Sequence, residues 1–184
     1  MRFPPLSTPR LRIRDFRPDD VPFRRELTLG AFNADQSLEQ TSDFVGWTMS
    51  SYRHLEALYQ PPHGEYVVAL ADSTPIGAIG VQPQMVPWNV FDSKPPAVPL
   101  NYVEYSLFWA ISPSYWRKGY ASEAAAAFIA ALFDQYGFAR LVALTEFDNA
   151  ASIGVMEKVG MSIMRNPLGY PSWFQVIGLI KHPG

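Results

Sequence analysis

The chain has no cysteine among its 184 residues. That absence removes disulfides, thiolate metal sites and a cysteine nucleophile together. Histidine is scarce too: only His54, His63 and His182 occur, with no close metal-ligand spacing. Long apolar runs are missing. The longest nearly pure one, Ala124–Phe133, has ten residues, well short of the roughly 20 a membrane-spanning helix needs. The N-terminal MRFPPLSTPRLRIRDF carries no apolar signal core, so a cytoplasmic protein without membrane attachment is expected. Neither charge dominates. A net charge of −2 offers no basic field to recruit nucleic acid or anionic lipid. No Gly-x-Ser-x-Gly elbow, Walker loop or Gly-x-Gly-x-x-Gly fingerprint occurs. PIGAIGV (Pro75–Val81) has two glycines, but their spacing is wrong and it reads as a strand.

What is present is apolar and aromatic material. Hydrophobic residues make up 48% and aromatics 14%, against 17% charged, enough to build a core and too little charge for a disordered chain. The length suits one domain, residues 1–184. RLRIRDF (Arg10–Phe16) alternates charged and apolar residues, the period of a half-exposed strand. Asp19 or Asp20 can cap the helix that follows, with Pro22 in its first turn. A helical segment is expected over Phe32–Tyr59, capped by Ser42 or Asp43 and stopped by PPHG. EYVVALAD and PIGAIGVQP form a hairpin around STP. The Pro-rich Pro83–Asn101 reads as a surface loop. VEYSLFWAI (Val103–Ile111) is strand-forming. A helix from Tyr120 ends at Gly137, and ARLVALTEF is a buried strand. DNAASIGVMEKVG is a second helix, capped by Asp148 or Asn149 and closed by Gly160. MSIMRN and SWFQVIGLIK are terminal strands. One mixed α/β domain follows.

The least ordinary stretch is SPSYWRKGYASEAAAAFIAALF (Ser112–Phe133). A helix N-terminus presents unpaired backbone N–H groups and a partial positive charge. Gly119 permits close backbone approach, Ala121 and Ser122 keep the first turn open, and Arg117 and Lys118 add charge. Those features suit a phosphate. An ordinary strand-to-helix turn with exposed cations fits the same residues.

WRKGYA resembles the pyrophosphate loop of the GNAT acetyltransferase superfamily, Gln/Arg-x-x-Gly-x-Gly/Ala. Gly119 and Ala121 fill its last positions, and Trp116 stands where Gln or Arg is usual. GYASEA (Gly119–Ala124) is similar to the subgroup of ribosomal-protein N-terminal acetyltransferases. DNAASIGVMEKVGM resembles the family's later helix, with Asn149, Ser152, Glu157, Lys158 and Gly160 in place. TPRLRIRDFRPDD is similar to the subgroup's first strand and helix.

The resemblance implies an α/β (α+β) fold: a mixed, mostly antiparallel sheet flanked by helices, with a splay between the fourth and fifth strands. It implies acetyl-CoA as cosubstrate, no metal, and an amine acceptor, either a small molecule or a protein N-terminus. A homodimer is compatible with it. Trp109, Ala110 and Ile111 would hold the pantetheine arm through their backbone. Trp116, Arg117, Lys118, Gly119, Tyr120, Ala121 and Ser122 would cradle the pyrophosphate. Asn149 and Ser152 would lie near the thioester, although Asn149 also suits a helix cap and Ser152 a first-turn filler. With no cysteine for an acetyl-enzyme, direct transfer to the amine in a ternary complex is the economical mechanism.

Glu104 is the candidate base, its alternative being a carboxylate in a salt bridge. Ser152 is the candidate proton donor to the thiolate, because Met156 stands where many relatives place a Tyr. Glu123 reads as a partner of the helix dipole. Phe44, Trp47, Tyr52, Trp88 and Phe91 either line an acceptor pocket or belong to the core. A non-catalytic acyl-CoA-binding or regulatory domain is the alternative function.

Overall fold

The computed structural model describes Phe3 and residues 5–98 and 100–184. Its elements are β1 (Leu6–Ser7), β2 (Leu11–Arg14), α1 (Val21–Phe32), α2 (Leu38–Ala57), β3 (Gly64–Leu70), β4 (Pro75–Val86), β5 (Tyr102–Ile111), α3 (Tyr120–Tyr136), β6 (Arg140–Thr145), α4 (Ala150–Lys158), β7 (Ser162–Arg165) and β8 (Val176–Lys181). The strands are hydrogen-bonded in the order β1-β2-β3-β4-β5-β6-β8-β7. Pairing is antiparallel for β1–β2, β2–β3, β6–β8 and β7–β8. It is parallel for β5–β6, through Ser106↔Val142 and Leu107↔Ala143. A parallel pair needs a long crossover, and α3 supplies it. This is the mixed, mostly antiparallel sheet flanked by helices that the family resemblance implied, with four α-helices among the described residues. The chain forms two compact units, one through Gly80 with Phe108–Ala130 and one of Val81–Leu107 with Ala131–Gly184.

The first unit holds β1–β3, α1 and α2. β3 alternates its faces as a strand must. Val67 and Ala69 join Leu27 of α1, Val45 of α2, Phe16, Ala78 and Ala110 in one buried cluster. Tyr66, on the opposite face of β3, packs its ring near Phe3 and Phe128 of α3, at 5.1 and 5.7 Å. Helix α1 ends because Asn33 turns left-handed, at φ 52°, with its N–H bonded to Leu29 O. Helix α2 restarts the chain with a capping box. Ser37 Oγ accepts from Gln40 N at 3.1 Å, and Ser37 N donates to Gln40 Oε1 at 2.9 Å.

The second unit is built on β6, β7, β8 and α4. Val86, Val90, Val142, Phe174 and Ile177 form its buried cluster, with Trp88 and Phe91 packed against it. Met156 of α4 is fully buried. A Cβ on Gly178 of β8 would come within 3.0 Å of its sulfur, so Gly178 is what lets α4 approach the sheet so closely.

Three expectations about elements are corrected. The helix expected over Phe32–Tyr59 begins at Leu38, and its cap is Ser37, not Ser42 or Asp43; the left-handed Asn33 separates it from α1. The segment Pro83–Asn101 is not wholly loop. β4 runs on to Val86, and Trp88–Phe91 forms a 3-10 turn, because Val86 and Val90 are core residues. The last strand starts at Val176, not at Ser172, since a turn closed by Phe174 N to Pro171 O at 2.9 Å precedes it. Gly137 ends α3 in a left-handed conformation, φ 64°, and Asn149 caps α4, both as read from sequence.

Candidate active site

The loop between β5 and α3 lies in the first unit and has an unusual backbone. A 3-10 turn at Pro113–Tyr115 leads to an extended Trp116. Arg117 is then left-handed at φ 59°, and Gly119 at φ 80°. A non-glycine residue at positive φ is uncommon and strained, and such strain collects at functional sites. Left-handed residues on both sides of Lys118 are the kind of backbone from which anion-receiving nests of N–H groups are built. Helix α3 opens immediately afterwards, adding the free N–H groups of its first turn. Trp116 through Gly119 are exposed, and Tyr120, Ala121 and Ser122 are half-buried.

Side chains brace the loop. Trp116 Nε1 donates to Ile111 O at 2.5 Å, tying the loop to the end of β5. This gives Trp116 a role that the Gln or Arg usual at this motif position would not fill in the same way. Lys118 Nζ donates to Ser114 O at 3.1 Å and sits over the Tyr115 ring. Arg117 makes no hydrogen bond or ion pair among the described residues, so its charge is available to an anion.

The first turn of α3 is gripped from the start of β2. Thr8 Oγ1 donates to Glu123 Oε1 at 2.5 Å, and Arg10 N donates to the same oxygen at 3.1 Å. Arg10 Nε and Nη2 both reach Glu123 Oε2, each at 2.6 Å. Arg10 Nη1 donates to Lys118 O at 2.9 Å, and its guanidinium lies over the Tyr120 ring. Partial burial pushes the Glu123 carboxyl up, but hydrogen bonds from Thr8 and Arg10 outweigh it and hold the group below the usual carboxylate range. The dipole role expected for Glu123 is therefore accompanied by a specific ion pair. Sequence reading had Arg10 only as part of a motif. Its partners lie more than 100 residues away, and no local signal names them.

Trp109, Ala110 and Ile111 end β5 in this unit. Trp109 is half-buried, and Ala110 and Ile111 are buried. A Cβ at Gly77 would overlap the Ala110 carbonyl oxygen, so glycine is required for β4 to lie this close. Ile111 O is engaged by Trp116. Of these three residues, Trp109 and Ala110 are the ones whose backbone carbonyls are not claimed by that indole.

In the second unit, Asn149 Oδ1 accepts from Ser152 N at 3.0 Å, the expected N-cap bond. That bond places the two residues together at the start of α4, both half-buried. Met156 lies one turn on in the core, where a thioether offers no proton. Glu104 of β5 is 4% exposed. Its Oε1 accepts from Trp88 Nε1 at 2.7 Å, and its Oε2 from Arg140 Nε at 2.9 Å. Arg140 Nη2 makes a third bond, to Oε1. Glu104 thus has the salt bridge of its alternative reading, and a carboxylate with about four acceptor positions keeps one open. Trp88 and Arg140 are the partners that sequence reading did not supply.

The aromatic candidates divide. Phe44 belongs to the first core, Trp88 and Phe91 to the second, and Tyr52 is buried. Trp47 is 63% exposed and lines neither core. A cavity of about 650 Å³ in the second unit is lined by Glu146, Phe147, Asp148, Ser172, Trp173 and Gln175. Phe147 N donates to Gln175 Oε1 at 2.7 Å across it. Two carboxylates beside the exposed rings of Phe147 and Trp173 suit a cation, which both Coulomb attraction and ring faces favour. Among the described residues no group of three or more His, Asp or Glu could hold a metal ion, and no helix is long and apolar enough to cross a membrane.

Comparison with known proteins gives the family and agrees with the fold. Residues 10–162 match the family model of the acetyltransferase (GNAT) domain. An uncharacterized N-acetyltransferase, YnaD of Bacillus subtilis, is 40% identical over 57 residues, 31% of this chain and 34% of that protein. The match thus spans about a third of that relative's length. A GNAT-family acetyltransferase from Bacillus anthracis superposes with a TM-score of 0.70 at 22% identity, covering 98% of this chain and 100% of that one. RimL, a ribosomal L7/L12 α-N-protein acetyltransferase solved in complex with coenzyme A, gives 0.67 at 14% identity, covering 96% of each chain. In that complex the coenzyme forms a disulfide with a cysteine, a bond the cysteine-free chain here cannot make.

Proposed function

The chain belongs to the GNAT acetyltransferase family, and on that premise we propose that it is an acetyl-CoA-dependent N-acetyltransferase acting on a primary amine. The observation that carries this reading is the loop at Arg117–Gly119: two left-handed residues, an uncommitted arginine and a helix start at one point. These residues fit a pyrophosphate. Backbone N–H groups from Arg117 to Ser122 would bind it, with Arg117 adding charge. Trp109 and Ala110 would hold the pantetheine arm along β5, and Asn149 and Ser152 would serve the thioester end. Bound acetyl-CoA supplies an activated acyl group.

The chain's own residues then have three tasks. An amine arrives as an ammonium and must lose a proton before it attacks. Glu104 takes that proton through a bridging water at its open acceptor position. Backbone N–H groups stabilise the developing negative charge on oxygen. Ser152, half-buried at the start of α4, would be the residue to give a proton to the departing sulfur. With no cysteine, transfer runs directly to the amine. The acceptor would be a small amine or a protein N-terminus, and the cleft walled by Glu146, Asp148, Phe147 and Trp173 would suit a cationic part of it.

A second reading has a specific observation behind it. Glu104 already holds three donors, and Met156 occupies the place of a possible acid. A domain that binds acyl-CoA without turning it over would look the same. Two measurements separate the readings. Calorimetry with CoA tests the cofactor, and thiol release from acetyl-CoA across a panel of small amines and N-terminal peptides tests the transfer. CoA binding with no release above buffer for any amine would leave the binding domain as the function. No CoA binding at all would overturn both.

A further inference from the structure

The cofactor reading leaves unexplained what keeps a strained loop in shape before any ligand arrives. We propose that Arg10 is a positioning residue for the pyrophosphate loop, aiming the Gly119 amide by holding the Lys118 carbonyl. The inference rests on the cofactor assignment above.

A trans peptide points its C=O and N–H in opposite directions. Arg10 Nη1 holds Lys118 O at 2.9 Å, which fixes the Lys118–Gly119 peptide plane. The Gly119 N–H then points away from Arg10, to the other side of the loop. Gly119 has no side chain and is left-handed at φ 80°, so local preference alone does little to fix that peptide's orientation. Flipping it would turn a carbonyl toward an incoming phosphate.

Arg10 is itself held by two side chains of α3. Glu123 takes its Nε and Nη2, each at 2.6 Å, and the Tyr120 ring lies under its guanidinium at 4.7 Å. Glu123 is held in turn by Thr8 Oγ1 and Arg10 N. Lysine carries the same charge but a single ammonium, and it cannot meet Glu123 twice while also reaching Lys118 O. Arg10 is 48% exposed and Glu123 18%, so removing either changes the loop without emptying a core. Direct attraction of Arg10 to phosphate would predict something else: rescue by lysine, and a loss that Glu123 does not share.

The test is a double-mutant cycle read by calorimetry with CoA, with melting temperature as the folding control. Arg10→Ala and Glu123→Gln should each weaken CoA about tenfold. Arg10→Lys should recover little of the loss. Arg10→Ala/Glu123→Gln should lose no more than Arg10→Ala alone, because both changes release one clamp. Pantetheine, which lacks the pyrophosphate, should bind the variants as it binds wild type, read by ligand-observed NMR at high concentration. Losses that multiply in the double variant, full rescue by lysine, or equal loss of pantetheine would overturn the positioning role. So would unchanged CoA affinity in a folded Arg10→Ala. Failure of the wild-type chain to bind CoA would overturn the cofactor reading, and this inference with it.

Discussion

Removing the two halves of the Glu104–Arg140 pair should have unequal consequences. Glu104 is 4% exposed along its side chain and Arg140 48%. Arg140→Ala strips the buried carboxylate of two of its three donors and leaves Trp88 alone. Uncompensating a buried charge costs about 3–5 kcal/mol; with the Trp88 bond retained, the low end, about 3 kcal/mol, is expected. Glu104→Gln is milder. The amide oxygen can take the Oε1 position and keep Trp88 Nε1, while its NH2 faces Arg140 Nε, a donor against a donor. Arg140 can swing into water, so the loss is about one charge-assisted hydrogen bond at a half-exposed partner, about 1–1.5 kcal/mol. For a chain of this size each kcal/mol moves Tm by about 2–4 °C. Scanning calorimetry should then show Arg140→Ala melting about 6–12 °C low and Glu104→Gln about 2–6 °C low. If Arg140→Ala costs no more than Glu104→Gln, the pair does not shelter a buried charge and the structural account fails. The same Gln variant tests the chemistry. A lost base lowers turnover by about 10²–10⁴, and the deficit should shrink as pH rises and the amine arrives already deprotonated. A deficit equal at every pH would make Glu104 a structural residue only.

The remaining predictions concern the loop, the mechanism and the cavity. Gly119→Val should weaken CoA at least about tenfold, about 1.4 kcal/mol, because a branched residue at φ 80° is strained and its bulk obstructs close backbone approach to the phosphates; unchanged affinity in calorimetry would remove the cradle. Incubation with labelled acetyl-CoA and no acceptor should leave the intact mass unchanged, and a stoichiometric, competent acetyl adduct would refute direct transfer. Glu146→Gln and Asp148→Asn should each raise KM for a cationic amine about 1.4- to fivefold, the 0.2–1 kcal/mol of an exposed ion pair, and leave KM for acetyl-CoA alone; steady-state kinetics at low salt decides. Glu123 has a folded pKa held below its unfolded one, so its stabilisation is complete above the ordinary value of about 4.3 and is lost as pH falls through the lower, folded value. Thermal scans of wild type and Glu123→Gln should therefore differ at neutral pH and converge in acid, and a constant gap would show that the clamp does not depend on ionised Glu123.

How much of this was legible in the sequence depends on how far apart the partners lie. The Asn149 cap, the left-handed close of α3 at Gly137 and the strand alternation of β2 are local, set within a few residues, and all could be read. The restart of α2 was local too. Ser37 and Gln40 stand at capping-box spacing, and the aromatic content of Phe32–Tyr59 drew the boundary away from them. Pro83–Asn101 was misread for the opposite reason: prolines mark breaks, but Val86 and Val90 are held by packing against Phe174 and Ile177, contacts no window can see. The candidate site shows the same division. Its loop was visible because Gly119 and the start of α3 adjoin in sequence. The meaning of Glu104 was open, because it depends on Arg140, 36 residues on, and Trp88, 16 residues back. Arg10 was hidden altogether, since an exposed arginine at the head of a strand acquires a task only when folding brings Lys118 and Glu123 to it. A motif in this chain therefore shows where a ligand can be received. The residues that hold the motif in its working shape come from distant segments, and it is there that substitutions can separate binding from folding.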